Sequence, residues 1–310
     1  MDAALNDYNV WSEKHLMEVD LRNKVASPLY HYTDANGLKG IIENEEIWFT
    51  SYEYLNDPGE ISYGMAVATK LLKEIGDSSN PRVKMFCDMV IDFFSHENMK
   101  TAFGIFIASF SKDGDDLGQW RGYGDNGRGY SLGLAPHLFH ATEGVKPNPT
   151  DNFVVLPVVY GEKDGRALHM PAIEKALHVV GDITVREANA MQDVAVGMPF
   201  FDAMAKALIA SELLLNSMMI KHDAYKNEQE VRLVMIGERK TLAPHISTRT
   251  RRGDIVPFIK SEFPIRTGGS IAEIVVGPSA AVAAEESVRA LLQSISEIPI
   301  HRSNIPYRSS

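Results

Sequence analysis

Four groups of residues in this chain have types and spacings suited to chemistry. The first is His31, in the run Leu29-Tyr30-His31-Tyr32-Thr33-Asp34. An imidazole near the end of a short apolar run can position a hydroxyl or move a proton near neutral pH. The second is Glu228-Gln229-Glu230, directly before Val231-Arg232-Leu233-Val234. Glutamate is disfavoured in strands, and alternate residues of a strand share a side. Two carboxylates on one side divide labour: neighbours hold one, and the other faces a substrate. Their repulsion raises one pKa if both are buried. The third group is Arg121 and Arg128, which flank Gly122, Tyr123, Gly124 and Gly127. Glycine lets the backbone approach a ligand closely, and arginine suits phosphate. The fourth is Ser51-Tyr52-Glu53-Tyr54-Leu55-Asn56-Asp57-Pro58-Gly59-Glu60, where turn-forming polar residues sit beside two tyrosines.

Each group also has a plainer reading. His31 alone reads as a half-buried histidine hydrogen-bonded to backbone. Glu230 reads as a strand-start residue paired with Arg232 on the same face. Ser51, Asn56 and Asp57 read as turn formers, and Tyr32 and Tyr52 as packing residues. The arginine–glycine stretch reads as a surface loop, although Trp120, Tyr123 and Tyr130 give it more aromatic surface than solvent favours. His137 and His140 have no cysteine or carboxylate cluster nearby and read as a surface pair, not as metal ligands.

Composition narrows the field. The chain has 310 residues, 45% hydrophobic and 23% charged, with a formal net charge of -10. That balance suits a globular protein and lacks the general basic footprint of a nucleic-acid binder. A local basic patch remains at Arg249, Arg251 and Arg252. The single cysteine, Cys87, allows neither an intrachain disulfide nor a cysteine zinc site. It lies in an apolar helical pattern and reads as a buried structural thiol. The acidic start, Met1-Asp2-Ala3-Ala4-Leu5-Asn6-Asp7, is unlike a signal peptide. No window reaches the roughly 18 apolar residues of a membrane span. A cytoplasmic location is expected. The phosphate-binding P-loop, the dinucleotide glycine fingerprint, the nucleophile elbow and the His-Glu-x-x-His pair are all absent.

The elements that must position these residues follow from pattern. Residues 1–27 read as a helical lead-in, and 28–310 as one α+β domain with a mixed or antiparallel central sheet. Helical insertions are expected near 60–99 and 165–222. Strands are expected at 28–34, 47–51, 102–110, 127–134, 154–160, 231–236, 255–259 and 271–276. Asp34 has the character of an N-cap for a short helix carrying Leu38, Ile41 and Ile42. The stretch 200–220 reads as a buried central helix, and 281–295 as a surface helix.

The ensemble of motifs resembles a bacterial family of domains of unknown function, DUF2971. The residues that carry the resemblance include Leu29-Tyr30-His31-Tyr32-Thr33, Ile47-Trp48-Phe49, Leu55-Asn56-Asp57-Pro58-Gly59-Glu60, Ser109-Phe110-Ser111 and Trp120-Arg121-Gly122-Tyr123-Gly124. Further along they include Gly129-Tyr130-Ser131-Leu132-Gly133, Lys221-His222 and Glu228-Gln229-Glu230-Val231-Arg232-Leu233. The order of strand, His-Tyr-Thr, short helix, aromatic strand and a late strand-opening glutamate is similar to ADP-ribosyltransferases of the histidine–tyrosine–glutamate kind. That second resemblance implies NAD as substrate, with no metal. It gives His31 a ribose hydroxyl to donate to, and it makes Glu230 catalytic. Glu228 would orient the acceptor, and Tyr52 or Tyr54 would stack on the nicotinamide. Arg121 or Arg128 would then bind the pyrophosphate. Tyr32, Thr33, Ser51, Asn56 and Asp57 complete the expected nucleotide cleft. Such folds often serve as toxins or phage-defence effectors, and the acceptor, protein or nucleic acid, is left open. Asn56-Asp57-Pro58 and the 60–99 insertion have no counterpart in the transferase layout.

Two other classes fit the same residues. His31, Asp57 and Glu60 could form a metal-independent hydrolytic or nucleolytic site, with Lys221 or Arg232 stabilising an anion. The cleft could also hold a nucleotide without turnover, as a sensor.

Overall fold

The computed structural model describes residues 2–22, 24–55, 60–79, 81–94, 103–140, 146–186, 209–251, 253–293, 295 and 297–307. Asn56 and Asp57 lie outside them, as do residues 200–208 of the expected central helix. The chain divides into two units. The first gathers residues 1–19, 56–103 and 158–225, and the second gathers 20–55, 104–157 and 226–310. The expected lead-in and the two expected insertions therefore supply most of the first unit.

The first unit is helical. It holds α1 (Asp2–Val19), α3 (Glu60–Asp77), α4 (Pro81–Phe93), α6 (Gly161–Arg186) and α7 (Ala210–Met218). It also holds a parallel pair, β6 (Val159–Tyr160) with β7 (Ile220–Lys221). Cys87 is buried on α4, as a structural thiol would be. Three helices close on Gly64 of α3. A Cβ built there would lie 2.4 Å from the Ser217 carbonyl oxygen of α7. The His169 ring of α6 lies 3.1 Å, through Nε2, from the Gly64 carbonyl, which only a ring N–H can satisfy. Helix α7 is buried along nearly its whole length, and its Glu212 accepts from Ser12 Oγ of α1 at 2.7 Å.

The second unit contains a ten-stranded sheet with helices, and the architecture is α+β. Its strands are β1 (Leu29–Thr33), β2 (Glu46–Ser51), β3 (Phe103–Ser111), β4 (Tyr130–Leu134), β5 (Val154–Pro157), β8 (Glu230–Glu238), β9 (Ile246–Arg251), β10 (Asp254–Glu262), β11 (Ile271–Val276) and β12 (Ile300–Arg302). The path runs β12-β11-β4-β1-β3-β2-β10-β9, with β8 branching from β3 to β5. Only the β11–β12 pair is parallel among the registers described for this sheet. Helix α2 (Ala35–Asn44) starts as its sequence suggests, with Asp34 accepting from Gly37 N–H. Its Leu38, Ile41 and Ile42 join a core with Leu29, Phe49, Phe110, Val231 and Leu233. Helix α5 (Leu117–Gly122), the single turn α8 (Arg239–Leu242) and α9 (Ala284–Leu291) complete the unit. Two strands were not expected: β9, which pairs with β10 from Asp254↔Arg251 to Ile259↔Ile246, and β12, which pairs with β11 from Ile274↔Ile300 to Val276↔Arg302.

Two consequences are measurable. Gly64→Ala drives a methyl group into the α7 backbone, which has no flexible end to yield. It should lower unfolding stability by about 1–3 kcal/mol, seen as a lower urea midpoint. Burial pushes the His169 pKa down from 6.5 to about 4. Between those values the unfolded chain binds the extra proton, so falling pH removes stability. His169→Gln, which keeps a donor for Gly64, should flatten the drop in urea midpoint between pH 7 and pH 5.

Candidate functional site

Strand β3 positions the site because different neighbours claim its two edges. Along one edge, Tyr30 of β1 faces Ser111, while Thr50 and Ser51 of β2 face Ile107 and Phe106. Strands β1 and β2 therefore part between Ser111 and Ile107. His31 fills that notch: its Nδ1 lies 3.0 Å from the Ser109 carbonyl. Alternate residues of a strand direct their amides to opposite edges. Lys112 N–H accordingly goes the other way and donates to the Gln229 carbonyl at 3.1 Å. Glu230 thus begins a strand on the far edge of β3, about two interstrand spacings, roughly 10 Å, from β1.

A carbonyl accepts only, so His31 carries its proton on Nδ1. Burial, above all, lowers its pKa; the Ser109 bond opposes that in part, and the Arg249 charge lowers it further. The ring is therefore neutral near pH 7, with its lone pair on Nε2, which makes no hydrogen bond among the described residues. This tautomer leaves Nε2 able only to accept, which is opposite to the donation expected of His31. The plainer reading of His31, half-buried and bonded to backbone, describes the same geometry.

Glu230 is buried and held by Arg232, which is wholly buried. Arg232 Nε meets one carboxylate oxygen at 2.9 Å, and Nη2 meets the other at 3.0 Å. Glu230 and Arg232 alternate with Val231 and Leu233, which belong to the core. His31 alternates with Tyr30 and Tyr32, and it sits with Leu29 against the Phe110 ring, 5.3 Å away. At β3 the two side chains therefore leave toward opposite faces. Glu228 does not share Glu230's side by strand alternation. It ends a 3-10 helix, Asp223–Glu228, and Gln229 has φ +44°. The Glu228 carbonyl accepts from Ser111 Oγ at 2.7 Å.

The remaining expected residues fall into three settings. Tyr32 is buried, edge-on to Trp120 at 4.9 Å. Its hydroxyl donates to the Asp113 carbonyl and accepts from Asp116 N–H, each at 2.9 Å, so it organises the β3–α5 loop. Thr33 packs against the glycine stretch: a Cβ on Gly129 would lie 2.2 Å from its carbonyl oxygen. That glycine serves chain-to-chain packing. Arg121 and Arg128 are exposed, and Arg128 pairs with Asp125 at 3.1 Å. Ser51 is buried, and Tyr52 and Tyr54 share one 3-10 turn after β2. Tyr52 is half-buried, and its hydroxyl pKa is raised by burial and then by Glu53, with Arg239 opposing. Tyr54 is 39% exposed.

The residue that site reasoning passed over is Arg249 on β9. Its Nη2 donates to Thr50 Oγ1 at 2.9 Å, and it lies close enough to His31 to depress the imidazole's protonation. The signal was present: Ile246-Ser247-Thr248-Arg249-Thr250-Arg251 alternates strictly, followed by the turn residue Gly253.

The family model described as Protein of unknown function (DUF2971) matches residues 119–233. The match includes the glycine stretch, β4, β5, Lys221-His222 and the Glu230–Arg232 pair. It confirms the resemblance to that family over those residues, while the His31 stretch lies outside it. No curated protein and no solved structure matches the chain.

The Glu230–Arg232 pair generates a stability test. Removing one partner of a buried pair leaves an uncompensated charge and costs about 3–5 kcal/mol. Arg232→Met should therefore lower the urea midpoint sharply. The double variant Glu230→Gln with Arg232→Met should recover most of that loss, as a double-mutant cycle would record.

Proposed function

We propose that the chain is ADP-ribosyltransferase-like and takes NAD at the notch between β1 and β2. The observation that carries this reading is the neutral His31, locked by Ser109 with Nε2 left to accept from a sugar hydroxyl. Thr50, paired with Ile107, is the polar β2 residue nearest the notch, and Ser51, paired with Phe106, and Tyr52 lead away from it. Cleavage of the nicotinamide–ribose bond sends the bonding electrons to the ring nitrogen and leaves an oxocarbenium-like ribose. Water or an acceptor nucleophile then attacks the same carbon and releases a proton. The transferase layout gives that charge a stabilising carboxylate, Glu230, but Glu230 leaves β3 on the face opposite His31 and is held by Arg232, which counts against this step. His31 positions the sugar. A toxin or phage-defence role, acting on a protein or nucleic-acid acceptor, accompanies the proposal.

A second reading is favoured by one observation. Glu230 is already neutralised by Arg232 and leaves β3 on the face opposite His31. That arrangement suits a chain that binds the nucleotide without turning it over.

Nicotinamide release from NAD by the full chain, with and without protein, RNA or DNA acceptors, separates the two. Under the transferase reading, release is measurable, and His31→Ala and Glu230→Gln each reduce it at least a hundredfold. Tight NAD binding with no nicotinamide released leaves only the binding reading. Absence of both sinks the two together. RNA cleavage without NAD, abolished by His31→Ala, would instead point to the hydrolytic class.

A further inference from the structure

Three strands of the second unit present one face whose side chains assemble around a single guanidinium. The registers Arg249↔Val256, Phe258↔Thr50 and Lys260↔Trp48 put Arg249, Phe258, Trp48 and Thr50 on that face. Ile47, Phe49 and Ile259, which alternate with them, belong to the core on the other face. The Trp48 and Phe258 rings stack at 4.3 Å, and the Arg249 guanidinium carbon lies 5.4 Å and 5.6 Å from their centres. Thr50 Oγ1 anchors Nη2 at 2.9 Å. Flat aromatic contact and one fixed hydrogen bond hold the planar fork in one orientation.

Among the described residues Arg249 forms no ion pair, and its buried Nε makes no hydrogen bond. Three other basic side chains of the unit do meet a carboxylate: Arg232 meets Glu230, Arg128 meets Asp125, and Lys260, on the same face, meets Glu46. Burial and the neighbouring Arg251 charge both disfavour Arg249's charged form, and only Asp34 favours it. A half-buried guanidinium without a counter-ion is costly in a resting protein. It becomes favourable when a ligand brings the charge, because guanidinium–oxyanion bonds are the strong, bidentate ones.

We propose that Arg249, braced by Thr50 and laid against Trp48 and Phe258, is an oxyanion-binding residue whose ligand is the phosphate or pyrophosphate of a nucleotide. The oxyanion site stands on Arg249's own surroundings. The choice of a nucleotide as the anion's source rests on the function proposed above.

Calorimetric titration of the full chain with inorganic pyrophosphate, ADP-ribose and nicotinamide riboside tests this. Pyrophosphate and ADP-ribose should bind the native chain. Arg249→Met should weaken both at least tenfold while nicotinamide riboside, which has no phosphate, is unaffected. Arg249→Lys keeps the charge without the fork, and Thr50→Val removes the brace. Each should weaken pyrophosphate at least threefold, and they carry the test if Arg249→Met does not fold by circular dichroism. Failure of pyrophosphate to bind, or equal binding by these variants, overturns the site. Arg249-dependent pyrophosphate binding with no binding of ADP-ribose or NAD keeps the site and removes the nucleotide reading.

Discussion

Strand β3 has more neighbours than edges, and the second unit is arranged around that constraint. A strand offers two rows of backbone amides, yet β1, β2 and β8 all pair with β3. The conflict is met by giving β1 and β2 different stretches of one edge. The cost of such a split is a carbonyl at the fork, since a buried backbone acceptor needs a partner. Ser109 supplies that carbonyl and His31 supplies the partner. The imidazole is thereby fixed in one tautomer by a requirement of the sheet. The same requirement leaves its other nitrogen directed away from the backbone ladder. A structural role and a binding role for His31 are therefore two ends of one ring, so backbone bonding does not count against function.

The two cations near the fork contrast in how their charge is met. Arg232 is wholly buried and engages Glu230 through two bonds, so its charge is settled within the fold. Removing either partner strands the other. Arg249 is only half-buried, on the edge strand β9, and its fold contacts are a hydroxyl and two aromatic faces. Aromatic faces steady a guanidinium but do not neutralise it. The pair at β8 has the character of architecture, and the single arginine at β9 has the character of a site awaiting a charge.

Much of the second unit was legible in the chain. Strand β1, the Asp34 cap, α2 and β2 follow from an apolar run, a capping residue at the right offset and an aromatic, β-branched stretch. Each signal is local. What could not be read is non-local. Alternation suggested that Glu228 and Glu230 share a side, but the positive φ of Gln229 ends the strand between them. The glycines after Trp120 looked suited to a ligand's approach. Gly129 instead makes room for the Thr33 carbonyl, a contact between segments far apart in sequence. Strand β9 escaped notice because half its residues are arginine or serine on a sheet edge, where hydrophobic content no longer marks a strand. The basic patch at Arg249 was visible as charge, but its geometry depended on that unread strand.

The overall charge sharpens what kind of anion fits. A chain with formal net charge -10 repels long polyanions at a distance. It can still hold a small one where a cation is sheltered from the rest of the field. Arg249 meets that description: its side chain is partly withdrawn from water, and Arg251 reinforces its sign. A guanidinium held flat against two rings offers its fork in one orientation, so it selects a small oxyanion by shape as well as by charge.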